Sequence, residues 1–376
     1  MKKPNVIAVL VLLMGILSCR DAEKAKFTDI EPDSVCSEIR YDSIDVETVV
    51  LDPVHCSYYG FSGVNPEGRI WYYDRYSGHV YEFDSEGKYL SRHLGIGRSN
   101  QESVLRDCVD AVFSDHGFVL LSSGLDLEIF DPDWSLEKRF TLAYRPGSKC
   151  DPSSFETYSF NLDNRVSRVR DGVFYISMLS EYPGFSYFDT RKKFLDKGHH
   201  IGRIDLAEEK QLPMIVKVFP RIFHREKESC ASFSGVNFDM GEDCLYVGYE
   251  ADSLIYKCSM SGEPESAFGI SGENMDTDYE PVRNWNDMPV YRRNRETKGW
   301  YGWIEYVDET GFLFRSYCKG RHSASDGLQI YKDGIPAADV DVPKGFRVMG
   351  YIAPYYYSQV IEDAENGRLE IMRFRL

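Results

Sequence analysis

The stretch Phe61-Ser62-Gly63-Val64-Asn65 occurs a second time, without change, as Phe233-Ser234-Gly235-Val236-Asn237. The two copies begin 172 residues apart. The segments downstream of the two copies also match in kind, because residues 79–87 (HVYEFDSEG) correspond to residues 254–262 (LIYKCSMSG). Both segments alternate apolar and polar residues and close on a polar turn that ends in glycine, which is typical of a β-hairpin. The chain therefore contains an internal repeat of strand-turn-strand modules.

Modules of the same kind occur at four further places, so the chain has six. The additional modules lie at residues 118–140, 173–206, 312–334 and 355–374. If the two verbatim copies are three modules apart, the period is about 57 residues, and residues 41–376 hold about six periods. A period near 50 residues with several short strands is typical of a β-propeller, whose blades bury their faces by stacking around a channel. We predict an all-β, six-bladed β-propeller over residues 41–376; two β-sandwiches or a β-helix are the alternatives.

The way the ring closes can also be predicted. The last module ends at the C-terminus with fewer strands than the others, while residues 43–51 form an alternating strand before the first full module. A sheet edge that is left open exposes unpaired backbone groups. We therefore expect residues 43–51 to pair with the strand that ends at Phe374 and to close the last blade.

The N-terminus has the features of an export signal. Lys2 and Lys3 precede an apolar run at residues 6–17, which is too short to cross a membrane as a helix. Residues 16–19 (ILSC) resemble a bacterial lipobox, which implies cleavage before Cys19, lipidation of Cys19 and a membrane anchor. We assign residues 1–18 to a lipoprotein signal peptide and residues 19–40 to the lipidated N-terminus and a flexible tether. A plain secretory signal with an unrelated cysteine is the alternative.

A family resemblance supports the same location. Residues 70–90, followed by Gly95-Ile96-Gly97 and Gln101-Glu102, resemble a blade of the NHL type. Together with the lipobox, the whole chain resembles the six-bladed, NHL/TolB-like propeller lipoproteins of Bacteroidetes. This resemblance implies an outer-membrane lipoprotein. Arg20, at the position where an aspartate would cause retention at the inner membrane, agrees with that placement, and the periplasmic and surface-facing orientations both stay open.

Charge and cysteine usage exclude several function classes. The 376 residues include 44 Lys and Arg against 60 Asp and Glu, a net charge of −16, so we expect no binding to nucleic acid through the overall field. Eight cysteines follow Cys19, and no pair has CxxC spacing, which argues against a zinc ribbon. Disulfides are permitted in an exported chain. We expect mostly free thiols in the core, with Cys108, Cys244 and Cys258 at buried strand positions.

No motif for catalysis, metal binding or a cofactor is present. The sequence has no GxSxG, HExxH, Walker or Rossmann pattern. His199 and His200 are adjacent, and neighbours on a strand point to opposite faces. We therefore predict no catalytic residues, no metal and no cofactor, and a non-catalytic scaffold that binds a protein or a glycan. The alternative is a hydrolase or lyase at the mouth of the central channel, for which Asn65, Asn237 and Asp110 are candidates.

The best binding candidates lie in residues 284–301. Three of the five tryptophans fall between Trp285 and Trp303, in a segment whose Asn, Pro and Gly residues break strand alternation and predict a loop at the rim. Trp303 belongs to an expected core strand. Exposed aromatic and arginine side chains suit sugar stacking or a protein hot spot. We predict that ligand binding involves Trp285, Arg292, Arg293, Trp300 and Tyr301, with the rings of Trp285 and Trp300 exposed. The alternative is that these aromatic rings pack between blades.

A short pattern predicts modification. Asp-Ser followed by an apolar residue occurs at residues 33–35, 42–44 and 252–254. This pattern resembles the acceptor motif for O-glycosylation of exported Bacteroidetes proteins. The resemblance implies that Ser34, Ser43 and Ser253 are candidate glycosylation sites.

Overall fold

The computed structural model describes residues 27, 30–32, 41–114, 117–142, 151–155, 158–160, 166–180, 182, 184–189, 193–217 and 219–376. The predicted signal peptide, Cys19 and Ser34 lie outside the described residues, so lipidation stays a prediction. Within the predicted tether, Phe27 is buried against the rings of Tyr249 and Tyr256, and Glu31 pairs with Arg221 at 2.8 Å. This part of the tether therefore packs on the rest of the chain, and the flexibility of its other residues stays a prediction. Over the described ranges, no helix is both long enough and apolar enough to span a membrane.

Strands are the main secondary structure of the described chain. They are β1 (Glu47–Val50), β2 (Gly60–Val64), β3 (Ile70–Asp74), β4 (His79–Phe83), β5 (Tyr89–Leu94), β6 (Cys108–Ser114), β7 (Gly117–Ser122), β8 (Asp126–Phe130), β9 (Leu136–Thr141), β10 (Tyr158–Phe160), β11 (Ser167–Arg170), β12 (Val173–Ser180), β13 (His199–Asp205), β14 (Lys210–Lys217), β15 (Val236–Met240), β16 (Cys244–Tyr249), β17 (Ile255–Ser259), β18 (Pro264–Phe268), β19 (Trp300–Val307), β20 (Phe312–Cys318), β21 (Asp326–Lys332), β22 (Ile335–Val342), β23 (Val348–Ile352), β24 (Tyr355–Asp363) and β25 (Arg368–Phe374). The helices are α1 (Phe194–Lys197), α2 (Arg221–Arg225) and α3 (Met288–Thr297), with 3₁₀ turns at Cys230–Phe233 and Trp285–Asp287.

The strands form six antiparallel sheets, which are the blades of a propeller. Blade 1 is β2–β5, blade 2 is β6–β9, blade 3 is β10–β14, blade 4 is β15–β18, blade 5 is β19–β22, and blade 6 is β23–β25 with β1. The predicted six-bladed β-propeller is confirmed. Blade 3 departs from the expected four strands, because β10 and β11 both pair with β12.

The predicted closure is also confirmed. β1 pairs antiparallel with β25, and Glu47 lies opposite Arg373 while Val50 lies opposite Glu370. The C-terminal part of the chain supplies only three strands of blade 6, so the first strand of the propeller adds the fourth and covers the free edge of β25.

Apolar clusters between neighbouring blades hold the ring together. All five residues of β3 are buried, because a blade lies against each of its faces. Trp71 and Tyr73 join a cluster with Phe118 of blade 2. On the opposite face, Tyr72 joins a cluster with Tyr357 of blade 6. Both faces of a blade therefore carry core residues, which explains the high aromatic content.

The two verbatim copies are not structurally equivalent, although the repeat itself is real. Residues 61–65 lie in β2 and the turn after it, whereas residues 233–237 begin in a 3₁₀ turn and end in β15. The later parts do correspond, since Gly87 and Gly262 both end hairpin turns with φ of 82°. Hairpin turns fix the register inside a blade, while the loop that enters the innermost strand varies in length.

The cysteines of the described residues agree with the expectation of free core thiols. Cys108, Cys244 and Cys258 are buried, as predicted. Six cysteines of the described ranges are free thiols. Cys36 and Cys150 lie outside those ranges.

Candidate functional site

The segment predicted as a loop is mostly helical, which corrects that interpretation. A 3₁₀ turn at Trp285–Asp287 leads into α3, and β19 begins at Trp300. The side chain of Asn284 caps the turn by accepting a hydrogen bond from the Asn286 amide. Pro289 stands in the first turn of α3, where its missing N–H costs nothing. The Asn and Pro residues that argued for a loop therefore mark the start of a helix.

Trp285 forms an exposed but well-supported aromatic surface. Its side chain is 51% exposed. The indole stacks on the buried ring of Phe188, with ring centroids 4.5 Å apart and an interplanar angle of 22°. Tyr291 of α3 contacts the same Phe188 ring at 4.9 Å. Arg292 is exposed on the same helix. We call Trp285, Tyr291 and Arg292 the Trp285 surface.

The other three predicted binding residues are engaged with the fold. Arg293 donates to both carboxylate oxygens of Glu280, at 2.6 and 2.5 Å. Trp300 is half-buried rather than exposed, and the guanidinium of Arg295 lies 4.5 Å from its ring centre. Tyr301 is 1% exposed, and its hydroxyl accepts a hydrogen bond from the Gly272 amide at 2.9 Å.

These placements separate the predicted residues into two groups. Trp300 and Tyr301 begin β19, so the strand directs them into the propeller, and the sequence reasoning erred in extending the loop to these positions. Trp285, Arg292 and Arg293 lie at the surface, and Arg293 is paired there with Glu280. Ligand binding by any of the five residues stays a prediction.

The candidate glycosylation sites differ in accessibility. Ser43 is exposed ahead of β1. Ser253 is half-buried, and its backbone carbonyl accepts a hydrogen bond from Arg315 at 2.7 Å. Modification of both serines stays a prediction.

The innermost strands of all six blades line a central cavity of about 860 Å³. Arg168 of blade 3 reaches across this cavity. Its guanidinium donates to Asp239 Oδ1 of blade 4 at 2.6 Å and to Glu305 Oε2 of blade 5 at 2.9 Å. It also lies 4.9 Å from the ring centre of Trp303. One cation thus connects three blades at the centre of the ring.

Burial and the neighbouring charges together set the pKa values of this cluster. Burial raises the pKa of Glu305 above its ordinary value, and the negative charge of Asp239 adds to the effect, although Arg168 opposes it. For Arg168, burial disfavours the charge, but Asp239 and Glu305 outweigh burial and raise its pKa. A carboxyl group with a raised pKa is what general acid catalysis requires. Glu305 is therefore the residue on which the hydrolase or lyase alternative would depend.

The polar residues predicted for the channel mouth make bonds within the fold. Asp110 accepts a hydrogen bond from the Ser167 hydroxyl across blades 2 and 3. Asn237 donates to the Tyr301 carbonyl at 2.8 Å, across blades 4 and 5. Asn65 follows the end of β2 and organises a turn by accepting from the Arg69 amide at 2.9 Å. The described residues contain no group of three side chains placed to hold a metal ion.

A second cavity, which the sequence did not predict, lies between blades 1 and 2. Its volume is about 640 Å³, and we call it the 1–2 groove. Its lining includes Asn65, Arg69, Glu82, Arg92, His93, Gln101, Phe113, Phe118 and Trp134. The buried carboxylate of Glu82 accepts hydrogen bonds from Asn65 at 2.9 Å and from Arg69 at 3.0 Å. Burial disfavours the charge of Glu82, but hydrogen bonds from His93 and Ser91 hold its pKa below the ordinary value.

The side chains of Ser91, His93 and Glu82 have the composition of a catalytic triad but not its geometry. Ser91 Oγ lies 2.8 Å from His93 Nε2, and Glu82 Oε2 lies 3.1 Å from the same nitrogen. A triad needs the nucleophile and the carboxylate on different ring nitrogens. A single neutral nitrogen cannot both take a proton from serine and donate one to glutamate. This network therefore fixes the wall of the groove.

Comparison with known proteins gives the fold class. No protein-family model matches the chain, and no curated protein matches it in sequence. A crystal structure of a DUF4221 family member from Bacteroides vulgatus is similar, with a TM-score of 0.65, 10% identity, and coverage of 89% of this chain and 97% of that one. A "putative exported protein" of Bacteroides fragilis is similar with a TM-score of 0.51, 12% identity, and coverage of 92% and 98%.

These likenesses confirm the expected resemblance to Bacteroides proteins at the level of the fold. The chain is a six-bladed β-propeller. At sequence identities of 10% and 12%, these structures show that the fold is shared but do not assign a role to any residue. Propellers of the same fold have many unrelated functions.

Proposed function

We propose that this chain is an envelope-anchored lipoprotein whose propeller is a non-catalytic scaffold that binds a protein partner at the Trp285 surface. The observation that carries the proposal is the state of Trp285, which is 51% exposed and yet held by stacking on Phe188. A large aromatic ring that is already ordered loses little conformational entropy when a partner covers it. Its exposed part adds nothing to the core and offers a partner an aromatic surface that is already ordered.

The composition of the surface favours a protein partner. Tryptophan, tyrosine and arginine are the residues most enriched at the energetic centres of protein interfaces. Trp285, Tyr291 and Arg292 supply all three within one short helical segment. A glycan that stacks on Trp285 is the competing occupant, and co-purification distinguishes the two.

The anchor is supported by the N-terminal sequence. The lipobox-like residues 16–19 support a membrane anchor ahead of the propeller, as a membrane-bound scaffold requires. The likeness of the fold to an exported Bacteroides protein agrees with this location.

The central channel supports a structural role for its charged groups. Arg168 is committed to Asp239 and Glu305, and Asp110 to Ser167, so these side chains hold blades together. A hydrolase or lyase at the channel is favoured by one observation, the raised pKa of Glu305. That alternative predicts that an activity of the purified protein is lost in Glu305→Gln.

Quantitative co-purification tests the proposal. The tagged full-length protein is isolated from detergent-solubilised envelopes as wild type, as Trp285→Ala and as Tyr76→Ala. Tyr76 is a matched control, because it is 85% exposed and lies on blade 1. We expect one protein to co-purify with wild type and Tyr76→Ala and to be lost with Trp285→Ala. Identical protein sets for all three would overturn the proposal, and loss of a bound glycan alone would assign the surface to sugars.

A further inference from the structure

Trp134 occupies a turn position that is glycine in blades 1 and 4. In the β8–β9 turn, the Trp134 amide donates to the Asp131 carbonyl at 2.9 Å, and Trp134 has a φ of 62°. The same turn in blades 1 and 4 has Gly87 and Gly262 at this position, each with φ of 82°. Glycine adopts the left-handed conformation freely, whereas a bulky side chain is strained there. Trp134 therefore holds a strained backbone conformation that glycine would adopt without strain.

The strained backbone directs the indole into the 1–2 groove. The ring of Trp134 stacks on His93 of blade 1, with centroids 4.2 Å apart and an interplanar angle of 8°. Phe113 meets the indole edge-on at 5.6 Å. The hydrogen bonds of His93 Nε2 with Glu82 and Ser91 fix the imidazole on which the indole rests. Backbone strain that is offset by surrounding contacts is characteristic of functional positions.

The rest of the groove supplies hydrogen-bonding groups. Arg92 and Gln101 line it and are exposed, and Ser114 adds a hydroxyl. The planar guanidinium group supplies hydrogen-bond donors, and the planar amide group supplies both donors and an acceptor. The volume of about 640 Å³ is in the range of small-ligand sites.

We propose that the 1–2 groove binds a short carbohydrate, with the apolar face of one sugar ring on the indole of Trp134 and its hydroxyl groups bonded to Arg92 and Gln101. A sugar presents a flat apolar face and a rim of hydroxyl groups, which matches an aromatic wall beside polar side chains. This site is separate from the Trp285 surface, which lies at the entry to blade 5.

The competing explanation is that Trp134 only fills space between two blades. The two explanations differ in what removal of the ring does. Trp134→Gly restores the residue that the turn favours, so relief of strain offsets the lost ring contacts, and the variant keeps its fold. Arg92→Ala combined with Gln101→Ala changes only exposed side chains and leaves the aromatic wall intact.

Glycan binding by the purified full-length protein tests the proposal. The probe is an array of defined oligosaccharides that contain hexose, N-acetylhexosamine and uronate units, followed by titration of the bound species. We expect wild type and the control Tyr76→Ala to bind the same oligosaccharide. We expect Trp134→Gly to bind about tenfold more weakly or not at all, and the Arg92/Gln101 double variant to lose at least about threefold in affinity. Absence of any bound oligosaccharide on wild type, or unchanged binding by both groove variants, would overturn the proposal.

Discussion

Glu47 of β1 and Arg373 of β25 lie directly opposite each other where the propeller closes, with the carboxylate and guanidinium 3.2 Å apart. Arg373 also contacts the β4–β5 turn of blade 1, through Glu86 Oε1 at 2.8 Å and the Ser85 carbonyl at 3.0 Å. Its guanidinium lies 4.1 Å from the ring centre of Tyr355. One arginine therefore links the first strand, blade 1 and blade 6.

Arg373→Met tests this link. We expect the free energy of unfolding to fall by about 2 kcal/mol, because several charge-assisted hydrogen bonds are lost together. Glu47→Gln is the matched control, with an expected loss of about 0.5 kcal/mol, since Glu47 is exposed and provides only one of the contacts. Urea denaturation measures both values. Equal losses of unfolding free energy for the two variants would show that the contacts of Arg373 with blade 1 do not contribute to stability.

His200 makes the stability of the propeller depend on pH. Its imidazole is fully buried among Phe194, Phe219 and Tyr249, and neither ring nitrogen has a hydrogen-bond partner among the described residues. Burial lowers the pKa of His200 to about 3, from an ordinary value of 6.5. The folded state stays neutral while the unfolded state gains a proton below pH 6.5. Stability therefore falls as the pH drops from 6.5 toward 3, by at most about 1.4 kcal/mol per unit.

His200→Phe is expected to remove this contribution, because phenylalanine suits an aromatic cage and cannot titrate. The difference in unfolding free energy between the variant and wild type should grow as the pH is lowered from 7 to 5. His224→Ala is the control, since His224 is exposed on α2, and its stability should follow wild type. A constant difference between His200→Phe and wild type over this range would refute the assignment.

The sequence was sufficient for features that depend on local patterns. Hairpin turns such as the one ending at Gly87 set the module length, and an unpaired strand at residues 43–51 required a partner, so blade number and closure could be predicted. Helix α3 was missed because Asn284 and Pro289 mark a helix start as readily as a loop. Blade 3 has a fifth strand that departs from the repeat, and no sequence pattern predicted it.

Features that depend on distant contacts could not be predicted. The bond from Arg168 to Asp239 and Glu305 joins three blades, and no sequence pattern brings these residues together. The sequence around Trp134 is that of an ordinary turn. Its positive φ and its stacking on His93 across the groove are visible only in the structure. Trp285 was a candidate from composition alone, but its exposure and its stacking on Phe188 distinguish it from Trp300.

The proposed lipid anchor gives a direct prediction. Full-length Cys19→Ala should either leave the membrane fraction or keep its signal peptide, because no thiol is available for lipidation and cleavage. Membrane fractionation and mass spectrometry of the N-terminus measure this. A variant that is processed and partitions like wild type would show that residues 16–19 are not a lipobox.

The two tryptophans of the 284–301 segment should differ in their effect on stability. Trp300 is half-buried against the core and beside Arg295, so Trp300→Ala should lower the free energy of unfolding by about 3 kcal/mol. Trp285→Ala loses mainly one stacked pair, for an expected cost of about 1 kcal/mol. Urea denaturation of both variants measures these two losses. A larger loss of unfolding free energy for Trp285→Ala than for Trp300→Ala would show that Trp285 serves the stability of the fold instead.

Site-specific photocrosslinking in intact cells directly measures whether the Trp285 surface contacts a protein partner. A photoreactive phenylalanine analogue replaces Trp285 in one strain and Tyr76 in another, so that two exposed aromatic positions are compared. If the Trp285 surface binds a protein partner, illumination should give one discrete protein adduct at position 285 and none at position 76. No adduct at position 285, or the same adducts at both positions, would show that the Trp285 surface is not a protein-binding site.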